Sequence, residues 1–408
     1  MAKPKLLYLC HRIPYPPNKG DKIRSFNILK ALSEQFDVYL GCFVDDPFDH
    51  QYESRLSQWC VQYKCVRQNK TTCKIKGLTS FFTNKPITLP YYADPELQQW
   101  VDATLEQQKI EQVFIFSSAM AQYVDGPHYN HLHRVIDFVD IDSDKWRQYA
   151  ENKTGIMRFV YHREYTKLAQ YEHHYCHQFA ASLFVSADEA AMFQRLMPSQ
   201  LHSKIHPLLN GVDTDFFDPK SPLQPAEFPR QSPYLVFTGA MDYWANVDAV
   251  VWFVQHVWPF IKAKQPQLQF YIVGGNPTAD VLALAANDIH VTGRVHDVRP
   301  YIAHANAVVA PLRIARGIQN KVLEAMAMDK PIIATSMAIE GINAPSSACL
   351  RIADSGSEFA EHCHDIVAAS ALAIDNRAWV IEHFTWQATL QPLAGFLATP
   401  IADELTCS

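Results

Sequence analysis

Ala307-Val-Val-Ala-Pro-Leu-Arg-Ile-Ala-Arg-Gly-Ile-Gln-Asn-Lys-Val-Leu-Glu-Ala-Met-Ala-Met328, followed by Asp329-Lys-Pro-Ile-Ile-Ala-Thr335, is the stretch that decides the fold. It opens on a short apolar run, Ala307–Ala310, that Pro311 breaks, and it closes on a second run, Ile332–Thr335. Between them, from about Gly317, the apolar residues take helical spacing. Ile318, Val322, Leu323 and Met326 share one face, and Arg316, Asn320 and Glu324 follow at i, i+4, i+8 along the other. Both flanking runs are continuous in apolar character rather than alternating, as strands buried on both faces of a parallel sheet are.

The same alternation extends over the whole chain. Runs at Lys5–Leu9, Val38–Phe43, Val113–Phe116, Val135–Val139 and Leu183–Ser186 precede it, then Tyr234–Thr238, Gln269–Val273 and Ile289–Thr292, each followed by a longer helical pattern. Ten strand–helix units in 408 residues predict two doubly wound α/β domains rather than one sheet. Asn210-Gly211 and the prolines at 207, 219, 222, 225, 229 and 233 place the join between Ile205 and Pro233. The expected division is therefore 1–206, 207–384 and a C-terminal helical segment, 385–408, with Trp379, Phe384, Trp386, Leu390, Leu393 and Leu397 as apolar contacts.

Composition narrows the function classes. At 48% apolar and 19% charged the chain is globular. Its net charge of −6 is divided unevenly: residues 1–207 carry 24 Lys and Arg against 22 Asp and Glu, and residues 208–408 carry 12 against 20. Neither part is basic enough to expect nucleic acid as the main partner. The nine cysteines show no Cys-x-x-Cys pair, which argues against a zinc ribbon and for reduced thiols in a cytosol. No apolar run is long enough to span a membrane, and the N-terminal stretch turns polar too soon for a signal peptide, so the expectation is a cytoplasmic protein.

The chemistry concentrates where the fold-deciding stretch begins. A loop after a buried parallel strand lies at the carboxyl edge of the sheet, where α/β domains bind ligands. Gly317 allows close backbone approach, the free N–H groups of the next helical turn favour an anion, and Arg313, Arg316 and Lys321 surround that opening. Glu324, one turn further in, supplies two acceptors suited to the vicinal hydroxyls of a ribose. A surface helix with a solvated charged face is the plain structural alternative.

These residues carry a resemblance. Leu323-Glu324-Ala325-Met326-Ala327 with Lys330-Pro331-Ile332-Ile333-Ala334-Thr335 resembles the donor-binding signature of family-4 retaining glycosyltransferases of the GT-B fold. Asn210-Gly211-Val212-Asp213 with Phe216, Thr292-Gly293-Arg294-Val295 with Asp297-Val298, and Phe384-Thr385-Trp386 are similar to further segments of that family. Asp137-Phe-Val-Asp140-Ile-Asp-Ser143 and the Arg313–Lys321 stretch look most like the subgroup associated with PEP-CTERM/exosortase (XrtA) exopolysaccharide clusters. The resemblance implies two Rossmann-like domains facing a central cleft, with the C-terminal helix crossing back to the first. It implies hexosyl-type transfer from a nucleotide diphosphate sugar to a glycan or polyprenyl-linked acceptor, with retention, no metal and no cofactor. Glu324 would hold the donor ribose, and the amides of Gly317, Ile318 and Gln319 the diphosphate. Two departures stand out. Arg316 occupies the place of the family's first glutamate, and Gly239-Ala-Met-Asp-Tyr-Trp-Ala-Asn-Val-Asp248 lacks the usual Arg and Lys. Arg313, Arg316 and Lys321 are the expected compensation. Asp329 stands where the helix-ending glycine usually is, a position Asp tolerates.

In the first half, Pro14-Tyr-Pro-Pro-Asn-Lys-Gly20-Asp21-Lys-Ile-Arg24 follows a strand and precedes a helix. Gly20 permits positive φ and Lys19 and Arg24 favour anions, so the loop is either a ligand loop or a plain turn, and the family resemblance favours the former. With one glycine it is no dinucleotide fingerprint, and Gly274-Gly275-Asn-Pro-Thr-Ala279 lacks glycines too, which leaves a dinucleotide oxidoreductase the weaker alternative. Asp137, Asp140, Asp142 and Asp144 follow the fourth strand. A metal site is the lesser reading, a helix cap explains Asp142 or Ser143 equally well, and Asp140, with Asp137, is expected to contact acceptor or sugar. Asp140, Arg316 and Lys321 form the candidate catalytic set. His173, His174, Cys176 and His177 lie on a helix without a complementary ligand set and receive no function. Lys64–Lys85 holds six cations, no acid, and Ile75, Leu78, Phe81 and Phe82: a solvated loop, or a surface for an anionic inner membrane or lipid-linked diphosphate. A catalytically inactive nucleotide-sugar-binding module remains the main alternative to an enzyme.

Overall fold

The computed structural model describes residues 3–18, 20–151, 153–221, 232–314, 318–344, 349–368 and 375–398. The chain divides into two compact units, one running to Leu209 and resuming at Leu390, the other from Asn210 to Thr389. In the first unit, β1 (Lys5–Cys10), β2 (Asp37–Val44), β3 (Gln62–Arg67), β4 (Gln112–Phe116), β5 (His133–Val139), β6 (Ala181–Phe184) and β7 (Ile205–Pro207) form one sheet in the order β3-β2-β1-β4-β5-β6-β7. In the second, β8 (Tyr234–Thr238), β9 (Gln269–Val273), β10 (Ile289–Gly293), β11 (Ala307–Ala310), β12 (Ile332–Ala334) and β13 (Leu350–Ile352) run β10-β9-β8-β11-β12-β13. Every named pairing is parallel. The strand order reverses direction between β1 and β4 in one sheet and between β8 and β11 in the other. Those two switch points are where such sheets open a crevice at their carboxyl ends.

Why these strands form follows from their burial. Leu6, Leu7 and Leu9 in β1, Val113, Phe114 and Ile115 in β4, and Val308 and Val309 in β11 are fully or almost fully buried, as β-branched and aliphatic side chains between two helical layers should be. Three strands went unanticipated: β3, β7 and β13. All lie at or next to a sheet edge, are short or partly exposed, and carry polar residues such as Gln62, Lys64 and Arg351. Edge strands lack the two-sided burial that makes an apolar run legible.

The fully buried helix Gly20–Gln35 packs Ile28, Leu29 and Leu32 inward, and it also buries Lys22 and Arg24. Lys22 pairs with Asp49 at 3.0 Å, and Arg24 grips Asp137 of β5 through two bonds of 2.8 and 3.2 Å. The second unit is closed by its own ends. Val212 pairs with Thr385 and donates to the Phe384 carbonyl at 2.7 Å. A Cβ on Gly211 would stand 2.5 Å from the Trp386 nitrogen, so only glycine fits that crossing. The C-terminal segment is not one helix but three short ones, Asn376–Phe384, Trp386–Thr389 and Leu393–Leu397. The last belongs to the first unit, where the Leu397 and Phe396 carbonyls accept from Gln112 (3.1 Å) and meet His133 Nε2 (2.8 Å).

Candidate functional site

In the second unit the site straddles the switch point. On one side, the loop after β8 carries Gly239, Asn246 and Asp248; on the other, the segment after β11 carries Arg313 and leads to the helix Asn320–Ala327. The loops pack tightly there. Gly274, after β9, has φ of 159°, and a Cβ on it would lie 1.6 Å from the Gly239 carbonyl oxygen. Thr335 fixes the β11 loop from beneath, its hydroxyl donating to the Leu312 carbonyl at 2.5 Å and its amide to Ala310 at 3.2 Å.

Lys321 and Glu324 sit one turn apart near the start of that helix, both partly buried. The Lys321 ammonium donates to Asn246 Oδ1 at 2.5 Å and lies 4.5 Å from the centre of the Phe237 ring. Burial lowers its pKa to about 8 although Glu324 works the other way. Burial raises the Glu324 carboxyl to about 7, with Lys321 opposing. Charged groups held that far from their usual titration range mark sites where ionic chemistry is needed. Asn320 adds a buried side-chain oxygen without a hydrogen-bond partner. Cation, carboxylate and helix N-terminus together make a place for an anion with hydroxyls beside it. Arg313 differs from its expected part as a phosphate cation: it is exposed and its guanidinium is already matched by Asp248 at 3.0 and 2.5 Å. Ile318 is buried, and Gln319 stands at the helix's N-cap. Arg316 and Gly317 lie outside the described residues, as does Lys19. Asp329 takes φ of 50° and closes the helix in the left-handed conformation; its carboxylate accepts from the Arg377 amide at 2.9 Å.

The carboxyl edge of the first unit holds a second polar cluster. Arg12, after β1, pairs with Asp21 at 2.5 Å and with Asp45 at 2.9 Å. His11 stacks on Phe116 (5.7 Å, 4° between planes), brings Nε2 to 3.4 Å from Asp21, and leaves Nδ1 buried without a partner. Burial alone would raise the Asp21 carboxyl, yet the His11 ring and Arg12 hold it well below the usual carboxylate range. After β5, Asp140 and Asp142 share Lys145 at 2.9 and 3.4 Å. Burial works against the Lys145 charge, but Asp142 and Asp140 outweigh it and raise its pKa. Val139, a β-branched residue, stands at φ of 69°, its amide held by Asp137 Oδ1 at 3.0 Å. Such strain costs about 1–3 kcal/mol and clusters at functional edges.

Two first-unit expectations need correction. Asp137 does not face a ligand: it is fully buried, and its oxygens are taken by Arg24 and the Val139 amide. Arg24, for the same reason, is no free cation. Gly20 begins its helix without positive φ, and a Cβ there would touch nothing within 4 Å, so the backbone reason for a glycine is absent. Among the described residues no three His, Cys, Asp or Glu side chains converge as a metal site, and His174 is engaged with Asp125 at 2.8 Å. Sequence reading missed His11, Asp21 and Asp45 as a cluster and missed Asn246 and Asp248 as partners. No periodicity links residues that meet across different loops.

The basic segment is ordered rather than a loop. It forms the helix Lys70–Leu78 and a short turn, Thr79–Phe82. Ile75, Leu78 and Phe82 are 61%, 60% and 93% exposed, and Ile156 and Phe159 on the helix Gly155–Gln178 are 79% and 66% exposed. Arg163 ties the two together, donating to the Ser80, Thr83 and Lys85 carbonyls at 2.5, 3.0 and 3.2 Å over the Phe81 ring. Lys64 is not available to an outside anion, because Glu96 pairs with it. No helix among the described residues is long and apolar enough to cross a membrane.

Residues 232–369, which contain the switch-point site, match the family described as Glycosyl transferases group 1. No curated protein matches the chain by sequence. Solved structures match along nearly its full length. Sucrose-phosphate synthase from Thermosynechococcus elongatus superposes with a TM-score of 0.65 at 15% identity, covering 96% of this chain and 98% of its own. HepE of Anabaena, in complex with UDP and glucose, gives 0.61 at 14% identity over 96% and 99%. WaaG, a glycosyltransferase involved in lipopolysaccharide biosynthesis, gives 0.57 at 14% over 96% and 97%. The chain thus has the GT-B glycosyltransferase fold, and the group 1 match over its second unit supports a glycosyltransferase.

Proposed function

We propose that the protein transfers a hexosyl group from a nucleotide diphosphate sugar to a glycan or polyprenyl-linked acceptor, with retention and without a metal. The observation that carries this reading is the Lys321–Glu324 pair at the head of the helix Asn320–Ala327, inside the family-matched stretch. Glu324 accepts from the donor ribose hydroxyls. Lys321, positioned by Asn246, and the amides of the Ile318–Gln319 turn stabilise the diphosphate as it gains charge on leaving, which is electrostatic catalysis by preorganised groups. Asp140, with Lys145 as its partner, is proposed for the sugar or acceptor side. UDP-glucose, which is bound in a HepE structure, is the first donor to try.

The acceptor side is proposed to work at an anionic inner-membrane surface, in exopolysaccharide assembly of the PEP-CTERM/exosortase kind that the resemblance implies. The exposed apolar residues between 75 and 82 and between 156 and 159, set among Lys70, Lys74, Lys85 and Arg158, support it. The matched Arg313–Asp248 pair favours one second reading, an inactive nucleotide-sugar-binding module, because it removes a cation from the site. Release of nucleoside diphosphate from UDP-, GDP- and dTDP-sugars with a polyprenyl-diphosphate-linked sugar as acceptor separates the two. Turnover supports the enzyme; donor binding without turnover supports the module. Arg316→Glu probes the compensation: turnover is expected to be lost, and activity equal to wild type removes Arg316 from the chemistry.

A further inference from the structure

The first unit holds a cavity of about 660 Å³ that none of the residues just described at the carboxyl edge, Arg12, Asp21, Asp140 or Lys145, helps to line. It lies between the Thr79–Pro95 segment and the helix Gly155–Gln178. Its size is that of a ligand site, for which roughly 300–1,000 Å³ is usual. Tyr123, Tyr171 and Tyr175 line it, with Gln98, Gln122 and Asp125.

These side chains are held in place before any ligand arrives. Gln98 Nε2 donates to the Asp102 carboxylate, the Tyr123 carbonyl and the Tyr129 hydroxyl at 3.1, 3.1 and 3.0 Å. Gln122 Nε2 donates to the Leu89 and Ala119 carbonyls at 3.1 and 2.7 Å. Asp125 is fixed by His174, and the Tyr171 and Tyr175 rings stand 5.8 Å apart at 59°. Tyr175 is fully buried, yet its hydroxyl has no hydrogen-bond partner. A buried orphan hydroxyl of this kind calls for an explanation, since most such groups are satisfied.

The lining chemistry selects one ligand class. Phosphate is disfavoured, because Asp94 and Asp125 face the same space and the Lys76 ammonium is already committed to the Ala93 carbonyl at 3.1 Å. An apolar ligand would leave the amides and carboxylates dry. Tyrosine rings give apolar faces with a polar tip, and fixed amide and carboxylate oxygens accept hydroxyl hydrogens. We propose that this cavity is a carbohydrate subsite, which holds sugar units of a glycan through tyrosine stacking while a sugar hydroxyl completes the hydrogen bonding of Tyr175. It goes beyond the donor reading and does not depend on it.

The test is an array of immobilised oligosaccharides of glucose, galactose, mannose and rhamnose, probed with the full-length protein in the absence of nucleotide sugar. A subset of glycans is expected to bind. Tyr175→Phe keeps the ring and removes only the hydroxyl, so affinity should fall about three- to tenfold, the loss of one neutral hydrogen bond. The melting temperature of free Tyr175→Phe should stay equal or rise, because an unsatisfied group is gone; a merely structural hydroxyl would lower it. Tyr171→Ala should weaken binding further by removing the stacking face. Absence of binding to every glycan overturns the proposal, and so does undiminished binding by Tyr175→Phe. Since no nucleotide sugar is present, failure of the donor reading leaves either result intact.

Discussion

Glu324→Gln is the perturbation that bears most directly on the site, because it is isosteric and the structure sets its size. Burial lifts the Glu324 carboxyl from an ordinary 4.5 to about 7. That shift corresponds to roughly 3 kcal/mol between the two protonation states. The sign follows from linkage. An acid whose pKa is higher in the folded state adds stability below its unfolded pKa and loses it as pH rises through the folded value. For Glu324 the loss falls between about pH 4.5 and about pH 7. Glutamine does not titrate, so the variant should lack that slope. Part of the gain is offset, since Lys321 loses the carboxylate that favours its charge and Glu324 is only partly buried. A net gain of about 1–2 kcal/mol near pH 8 is expected, and for a unit of this size each kcal/mol moves Tm by about 2–4 °C. Donor affinity should move the other way, about tenfold weaker or more, because a charged hydrogen bond contributes roughly 1.5–3 kcal/mol. Scanning calorimetry of both proteins at about pH 5 and about pH 8, with titration of UDP-, GDP- and dTDP-sugars, reads both effects. A Tm difference that is the same at the two pH values would refute the burial argument. Unchanged donor affinity would remove Glu324 from the site.

Arg24→Ala strands the fully buried Asp137 carboxylate and should cost about 3–5 kcal/mol in denaturant unfolding; a loss below about 1 kcal/mol means that the pair is not buried as described. Gly274→Ala drives a Cβ to 1.6 Å from the Gly239 oxygen at a φ of 159°, so its second unit should melt first and by well over 2 kcal/mol, and a wild-type Tm would show that the two loops do not cross. Sedimentation with phosphatidylglycerol vesicles should carry the protein down at low salt and release it as salt rises toward the ~10 Å screening length of 0.1 M, and Phe82→Glu should abolish it; a protein that stays in the supernatant at low ionic strength has no such surface.

Strands and helices were legible wherever a local pattern repeated. The continuous apolar runs of β1, β4, β8 and β11 and the 3.6-residue spacing of Ile318, Val322, Leu323 and Met326 are properties of neighbours in the chain, and they led to the α/β class. Asp329 could be read as a left-handed helix end because the preference belongs to a single residue. Glu324 could be singled out because one helix start gathered charge, glycine and periodicity within ten residues. The partnerships that define the site could not. Lys321 finds Asn246 75 residues away, Arg313 finds Asp248 65 away, and Arg24 finds Asp137 113 away. Whether a cation is free for a phosphate or already spent on a carboxylate depends on which loops meet at a switch point, and parallel sheets bring those loops together only after whole crossover helices have closed. Sequence by itself therefore determined the class of fold and the helix at which to look. Tertiary structure alone decided which charges face a ligand, since Coulomb partners and burial are set by distance in space rather than along the chain.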